Sequence, residues 1–285
     1  MSTDAESTTP GIDVSRWQGK MNWELVAAAG YRFVVIRATI GDYYTDPRFY
    51  VNWSGARAAG LLVSAYHVVT PDRSVDAQVA RLFDVLGDRK PDLPLVLDVE
   101  LSRGVGRAGI TACVRDCLHQ VEQQGGRKPI VYTGRWFWDP YVLPSPEWAE
   151  YDLWIANYRV PAPTLPAGWD SWKFWQHSDR GRVPGSGSAR TDLDWFAGSY
   201  EDLLQYAQKK PPTPPEPEGG LRACVSVPVL RVHNGPGVKY DHVGDLHAGD
   251  VINIVAIDGQ DAWVEFDPGK WVSFAFRGER SMEIE

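Results

Sequence analysis

Short apolar runs and amphipathic segments alternate along the first half of the chain. Runs suited to buried strands occupy residues 11–14, 33–38, 61–66, 95–99 and 130–133. Four of the stretches between them, 23–29, 49–59, 75–86 and 111–124, repeat apolar residues every three or four positions, the period of a helix with one buried face. Asp46-Pro47 opens one such segment, and Gly60 and the Gly125-Gly126 pair close others. Regular alternation of strand and helix predicts a parallel sheet covered by helices.

Beyond Thr133 the rhythm changes. Strand-like runs follow at 153–156, 172–176 and 191–196, but the segments between them are rich in Pro and Gly and lack helical period. A short irregular helical piece is expected near 136–142 and a final helix over 200–208. Eight strands with about five helical crossovers predict an α/β fold of TIM type, closed into a barrel with its last helices missing, rather than an open doubly wound sheet.

Residues 209–220 read KKPPTPPEPEGG, five prolines in twelve positions. Such a segment cannot bury a core and predicts a semi-rigid spacer. The expected organisation is therefore a tail at 1–10, the barrel at 11–208, the spacer, and a second domain at 221–285. That last stretch consists of short β runs broken by Gly, Asn, Asp and Pro turns, the pattern of a small all-β barrel.

Composition narrows the partners. The 285 residues carry 29 basic and 37 acidic side chains, a formal net charge of -8. Duplex nucleic acid and anionic lipid both call for clustered Lys and Arg, so neither is expected as a partner. No apolar run approaches the length of a membrane-spanning helix. Three cysteines are too few for a disulfide framework, and no Cys/His cluster has zinc spacing, so buried reduced thiols and no metal or cofactor are expected. The 13 Trp and 12 Tyr are numerous enough to pave a sugar-binding cleft, or simply to build aromatic cores.

In a parallel barrel the functional side chains gather where strands end, on the C-terminal rim. Along the eight predicted strands those positions hold Asp13, Tyr66-His67, Asp98 with Glu100, Tyr132, Trp154 with Asn157 and Tyr158, Gln176, and, at the start of the last strand, Asp192. Asp98 and Glu100, two residues apart, leave the same face of a strand. They follow the apolar run LPLVL, where crowded carboxyl groups cannot all stay ionised and one should remain protonated near neutrality. Asp13 and Asp192 belong to the first and last strands, which are neighbours once the barrel closes. Each acid taken singly could cap a helix or pair with Arg16, Arg37 or Arg190. Four on one rim fit glycosidic hydrolysis by carboxyl groups.

The motifs GIDVSRWQG, AYHVV, LVLDVE, IVYTG, LWIANY, FWQHS and TDLDWF follow in the order and spacing of glycoside hydrolase family 25, and over 11–208 the chain resembles that family of lysozyme-like N-acetylmuramidases. The resemblance implies a (β/α)5(β)3 barrel and cleavage of the β-1,4 bond between N-acetylmuramic acid and N-acetylglucosamine in peptidoglycan. It makes Glu100 the general acid and base. Asp98 would orient the substrate's 2-acetamido group or stabilise the oxocarbenium-like centre. Asp13 and Asp192 would flank and tune that pair, while Tyr66, Tyr132, Trp154, Tyr158 and Gln176 would bind sugar. Net retention is implied, with either the acetamido oxygen or a carboxylate as nucleophile. Asp194 stands where the family usually has Asn, which leaves open which acid of TDLDWF faces the groove. His67 could act as a base or prop a neighbouring carboxylate.

Residues 221–285 resemble a bacterial SH3 module through VLRVHNGPGVKYDHVGDLHAGDVINIV and the later AWVEF and KWVSF runs. That implies binding of wall peptide or cross-bridge, with Tyr240, Trp263 and Trp271 as groove candidates and at least one of them in the core. The expected protein is a monomeric endolysin-like muramidase. Residues 1–10 have neither the basic nor the apolar region of a secretory signal, so the host cytoplasm until release, then the cell wall, is the expected location. Two other readings stay open: a catalytically silent protein that only holds wall glycan, and a hydrolase of chitin-like polymers.

Overall fold

The computed structural model describes residues 8–209, 222–254, 256–258, 263–273, 275–276, 279–280 and 282–284. Residues 1–7 of the expected tail and 210–220 of the expected spacer lie outside them. The chain forms two compact units, Met1–Pro211 and Pro212–Glu285.

The first unit runs β1 (Thr8–Val14), α1 (Trp23–Ala28), β2 (Phe33–Ile40), β3 (Tyr44–Thr45), α2 (Phe49–Ala58), β4 (Leu62–Val68), α3 (Val75–Leu86), β5 (Val96–Asp98), α4 (Arg107–Gly125), β6 (Ile130–Thr133), α5 (Arg135–Tyr141), β7 (Leu153–Ala156), β8 (Phe174–Gly181), β9 (Thr191–Ala197) and α6 (Tyr200–Tyr206). Helix starts follow local chemistry: Asn22 accepts from Leu25 N and Ser74 from Ala77 N, each quenching a free amide of the first turn. Gly126 closes α4 at a left-handed φ of 71°. That helix begins at Arg107, four residues before the periodicity does. Gly106 offers no side-chain cap and the first turn faces solvent, so nothing in the pattern marks the start.

Eight strands close on themselves in the order β1-β2-β4-β5-β6-β7-β8-β9, with β9 returning to β1 and the short β3 beside the end of β2. Seven of these strands are parallel, but β9 runs antiparallel to both β8 and β1. The wholly parallel sheet expected from the alternation therefore stops at β8. Only nine residues separate β8 from β9 and none is helical, and so short a connection returns the chain beside its own strand in the opposite direction. The reversal matters for the site, because it brings the beginning of β9 to the rim where the parallel strands end. β9 also recruits Thr8–Pro10, whose partners are Trp195–Ala197, so the first strand starts three residues earlier than its apolar run suggests.

Strand alternation divides the unit into two apolar layers. Outward residues such as Ile12, Ile36, Val63, Leu97 and Ile155 pack under the helices. Inward residues Phe33, Leu62, Val96, Trp154, Phe174 and Phe196 fill the barrel, and Leu203, Leu204 and Ala207 at α6 close its lower mouth. Phe174 meets Phe33 and Phe196 at centroid distances of 5.3 Å each. The lower half of the barrel is thus mainly apolar, with the buried Ser64 hydroxyl satisfied by the Leu93 and Pro94 carbonyls.

The second unit is antiparallel throughout its described pairings. β10 (Arg222–Val225) lies between β13 (Val251–Asn253) and β19 (Met282–Ile284), and a five-stranded sheet has the order β12 (His242–His247), β11 (Val229–His233), β16 (Lys270–Ser273), β15 (Trp263–Asp267), β14 (Ala256–Asp258). β17 (Ala275–Phe276) and β18 (Glu279–Arg280) pair separately. Ala223, Val225, Leu230, Val232, Ile252, Val264 and Val272 make its core. Among the described residues no helix is long and apolar enough to cross a membrane. Cys113 and Cys117 are buried free thiols of α4, and Cys224 is a partly buried one.

Candidate active site

The C-terminal ends of the strands surround a pocket of about 210 Å³. The nine residues singled out from the sequence, Asp13, Tyr66, Asp98, Glu100, Tyr132, Trp154, Tyr158, Gln176 and Asp192, all line it, and Val96 completes the wall. Inward alternation puts them there: Val96, Asp98 and Glu100 share one face of β5 and its extension, as do Gly11 and Asp13 of β1. Ordered strand ends at Asp98, so Glu100 stands on the rim and is partly exposed, whereas Asp98 and Asp13 are each only 6% exposed.

Asp13 and Asp192 are directly paired across β1 and β9. Gln176 Nε2 donates to Asp13 Oδ2 at 2.5 Å, while Gln176 Oε1 accepts from Tyr132 Oη at 2.7 Å and Tyr158 Oη at 2.5 Å. Two tyrosines thus polarise an amide whose other end steadies a carboxylate. Trp154 is 2% exposed and stands edge-on to Tyr132 at 4.8 Å, so it forms floor rather than a face on which a sugar ring could stack. Tyr158 is exposed at the opening.

The carboxyl groups are starved of cations. Arg37, which could have paired with them, binds Asp46 at 2.8 Å instead, and it only eases the ionisation of Asp13 and Asp98 from a distance. Burial, then the charge of Asp192, holds Asp13 well above the usual carboxylate range against the Gln176 hydrogen bond. Burial, then Glu100 and Asp13, do the same to Asp98. Burial raises Glu100, and burial followed by Asp179 and Glu100 lifts Asp192 to about 6. Asp98 Oδ1 is buried without a hydrogen-bond partner in the structure. A protonated acid beside ionised neighbours is what glycosidic bond cleavage uses. No group of three or more His, Cys, Asp or Glu among the described residues is arranged to hold a metal ion.

Two expectations need correction. His67 neither faces the pocket nor props a carboxylate: it follows Tyr66 on β4, so it points outward. There its Nδ1 lies 2.7 Å from Thr39 Oγ1 and its Nε2 3.1 Å from Gln78 Oε1, and burial lowers its pKa to about 4. Asn157 is spent on the loop, accepting from Thr164 N at 2.8 Å. Of the TDLDWF acids, Asp192 lines the pocket, and Asp194 lies deeper, 1% exposed, accepting from Trp154 Nε1 at 3.0 Å. The sequence offered Arg37 only as a possible partner of single acids and left Asp194 open against Asp192; both stand beside the pocket acids. Their inward spacing, two residues from Val35 and from Asp192, was the available signal.

Comparison with known proteins agrees with this architecture. The family model described as "Glycosyl hydrolases family 25" matches residues 12–186. "Uncharacterized protein YegX" of Escherichia coli (strain K12) is 36% identical over 215 residues, 74% of this chain and 77% of that one. "Lysozyme M1" of Streptomyces globisporus is 35% identical over 216 residues, 70% of this chain and 72% of that one. The crystal structure of the bacterial lysozyme from Streptomyces coelicolor superposes with a TM-score of 0.67 at 34% identity, covering 70% of this chain and 97% of that one. The chain belongs to glycosyl hydrolase family 25.

Proposed function

We propose that the barrel is a peptidoglycan muramidase that hydrolyses the β-1,4 bond between N-acetylmuramic acid and N-acetylglucosamine. The observation that carries the reading is the concentration of four carboxyl groups, all of them raised above the usual carboxylate range, in one tyrosine-rimmed pocket. Lysozymes and muramidases among its relatives support the substrate class.

Glu100, raised by burial yet open to the rim, donates its proton to the leaving glycosidic oxygen as the C1–O bond breaks. The sugar's C1 develops positive charge, which the deeper Asp98 stabilises directly or by orienting the 2-acetamido oxygen toward C1. Water then adds to C1 and its proton returns to Glu100, so the acid is regenerated. Asp13 and Asp192 flank the pair, burial favours the protonated form of Glu100, and Gln176 with Tyr132 and Tyr158 orients the wall that meets the sugar.

We read the second unit as an SH3-like wall-binding module. Tyr240 is 38% exposed and Trp271 half-buried, which suits a groove, whereas Trp263 is 5% exposed and belongs to the core. A tethered wall binder would raise the effective concentration of the hydrolase at its polymer. Full-length Tyr240→Ala that binds purified sacculi as well as wild type would remove Tyr240 from that role.

Digestion of purified peptidoglycan by wild type and Glu100→Gln, followed by borohydride reduction and mass spectrometry, tests the activity. Fragments reduced at muramic acid with wild type alone are expected. Binding without new reducing ends would place the barrel among glycan-holding proteins, and release from chito-oligosaccharides in preference would change the substrate.

A further inference from the structure

The pocket's four acids are not the last carboxyl groups inside the barrel. Asp194 follows Asp192 by two residues on β9 and enters the same face one step deeper, opposite Gly11 of β1 and Gln176 of β8. It is 1% exposed and is not part of the pocket wall. Its Oδ1 accepts from Trp154 Nε1 at 3.0 Å, while its Oδ2 is equally buried and has no hydrogen-bond partner in the structure. Its carboxyl lies within hydrogen-bonding reach of the Asp13 carboxyl. The charges facing it are those of Asp13 on β1 and Asp192 on its own strand, both negative. The indole of β7 is neutral. Arg37 of β2 favours the ionised forms of Asp13 and Asp98, which it reaches while bound to Asp46.

An ionised Asp194 would leave one buried oxygen without a donor and turned toward another carboxylate, the least tolerable state for such a group. A carboxylic acid removes both faults. Its carbonyl oxygen takes the indole N–H, and its O–H supplies a donor to Asp13. The donors already present decide which acid keeps the proton. Asp13 accepts from Gln176 Nε2, which favours its ionised form, whereas Asp194 has only the indole.

We propose that Asp13 and Asp194 hold one proton between them, resident on Asp194 Oδ2, so that Asp194 is a neutral positioning residue that orients Asp13 from beneath while Gln176 orients it from the side. This rests on the reading of Asp13 as part of the hydrolytic site. Burial and the neighbouring charges of Asp13 and Asp192 push the ionisation of Asp194 well above the usual carboxylate range, in keeping with that placement. The pair titrates as a unit.

Two variants and a spectrum test the proposal. In Asp194→Asn the amide reproduces both contacts without charge, and kcat/KM within about threefold of wild type with an unmoved pH profile is expected. Asp194→Ala withdraws the donor from Asp13. Here kcat should fall at nearly constant KM, and the acidic limb should move toward neutral pH by about one unit. Carbon-13 spectra of aspartate-labelled wild type should include a protonated side-chain carboxyl that does not titrate between pH 4 and 8 and that Asp194→Asn abolishes. A displaced limb in Asp194→Asn, an unmoved limb in folded Asp194→Ala, or titration of that carboxyl within the range would overturn it. Should Asp194→Ala fail to fold, Asp194→Asn and the spectrum still decide. The spectrum reads the proton without turnover, so a failed muramidase assay and a failed proton assignment remain distinct results.

Discussion

Asp13 and Asp192 face one another across the antiparallel seam that closes the barrel, with no cation between them. Burial first, and then repulsion from the directly opposed Asp192, hold Asp13 well above the usual carboxylate range, while burial, Asp179 and Glu100 lift Asp192 to about 6. The seam therefore carries an electrostatic penalty at the pocket, and burial favours the protonated form of Glu100 beside it.

Removing the rim acid should leave the fold and abolish the chemistry. Glu100 is partly exposed and makes no side-chain hydrogen bond in the structure, so Glu100→Gln should unfold within a degree or two of wild type. Loss of general acid catalysis costs about 10²–10⁴-fold in rate. Turnover of purified peptidoglycan beside a circular-dichroism melt checks both halves.

The rate should fall at alkaline pH as Glu100 loses its proton, and this limb should lie above the ordinary glutamate range. Burial is the cause of that rise, so Asp192→Asn should leave the limb where it lies in wild type. The rate remaining in the variant suffices to read it, and a limb displaced by about one unit would refute a shift set by burial.

Stability should respond to Asp192 with a definite sign. Its pKa rises from 3.8 in the unfolded chain to about 6 in the fold. The folded state therefore binds the proton more tightly, and the stability present below pH 4 is lost as pH rises through 6. Asp192→Asn carries no such loss. It should exceed wild type by about 1–3 kcal/mol at pH 8 and match it near pH 4. Denaturant melts at the two pH values give the comparison, and an equal difference at both would exclude the mechanism.

Gln176→Leu should cost both stability and activity. It strips Asp13 of a donor and Tyr132 of its acceptor, and a buried polar group left unpaired costs about 1–3 kcal/mol. Tyr158→Phe removes one bond from the exposed side and should cost under about 1 kcal/mol. Equal melting temperatures for the two variants would show that Gln176 is not the hub of this network.

Gly11→Ala tests how closely the barrel floor is packed. A β-carbon there would overlap the Phe33 ring, which Phe174 holds from the other side. Overpacking of this kind costs about 1–3 kcal/mol, and a thermal melt within a degree of wild type would contradict it.

By itself the sequence determined the eight strands of the barrel, though not the short β3 beside them, the loss of the last crossover helices, the all-β character of the second unit's described residues and the acids at the strand ends. These are local properties: period-two and period-3.6 patterning reads directly as strand and helix, and strand ends in a barrel have one shared destination. Tertiary structure alone decided the rest. The direction of β9 follows from its short connection and its two partners, not from its own residues, which would suit either direction. Outward rotation took His67 from the pocket and gave it to Gln78, because a strand position's face depends on register with its neighbours. Arg37 was free to neutralise the pocket acids on paper, and its capture by Asp46 leaves them crowded. Asp194 looked like an alternative to Asp192. Depth within the barrel set the two apart, since an acid two residues farther from the rim loses solvent, keeps its proton and meets Asp13 from below.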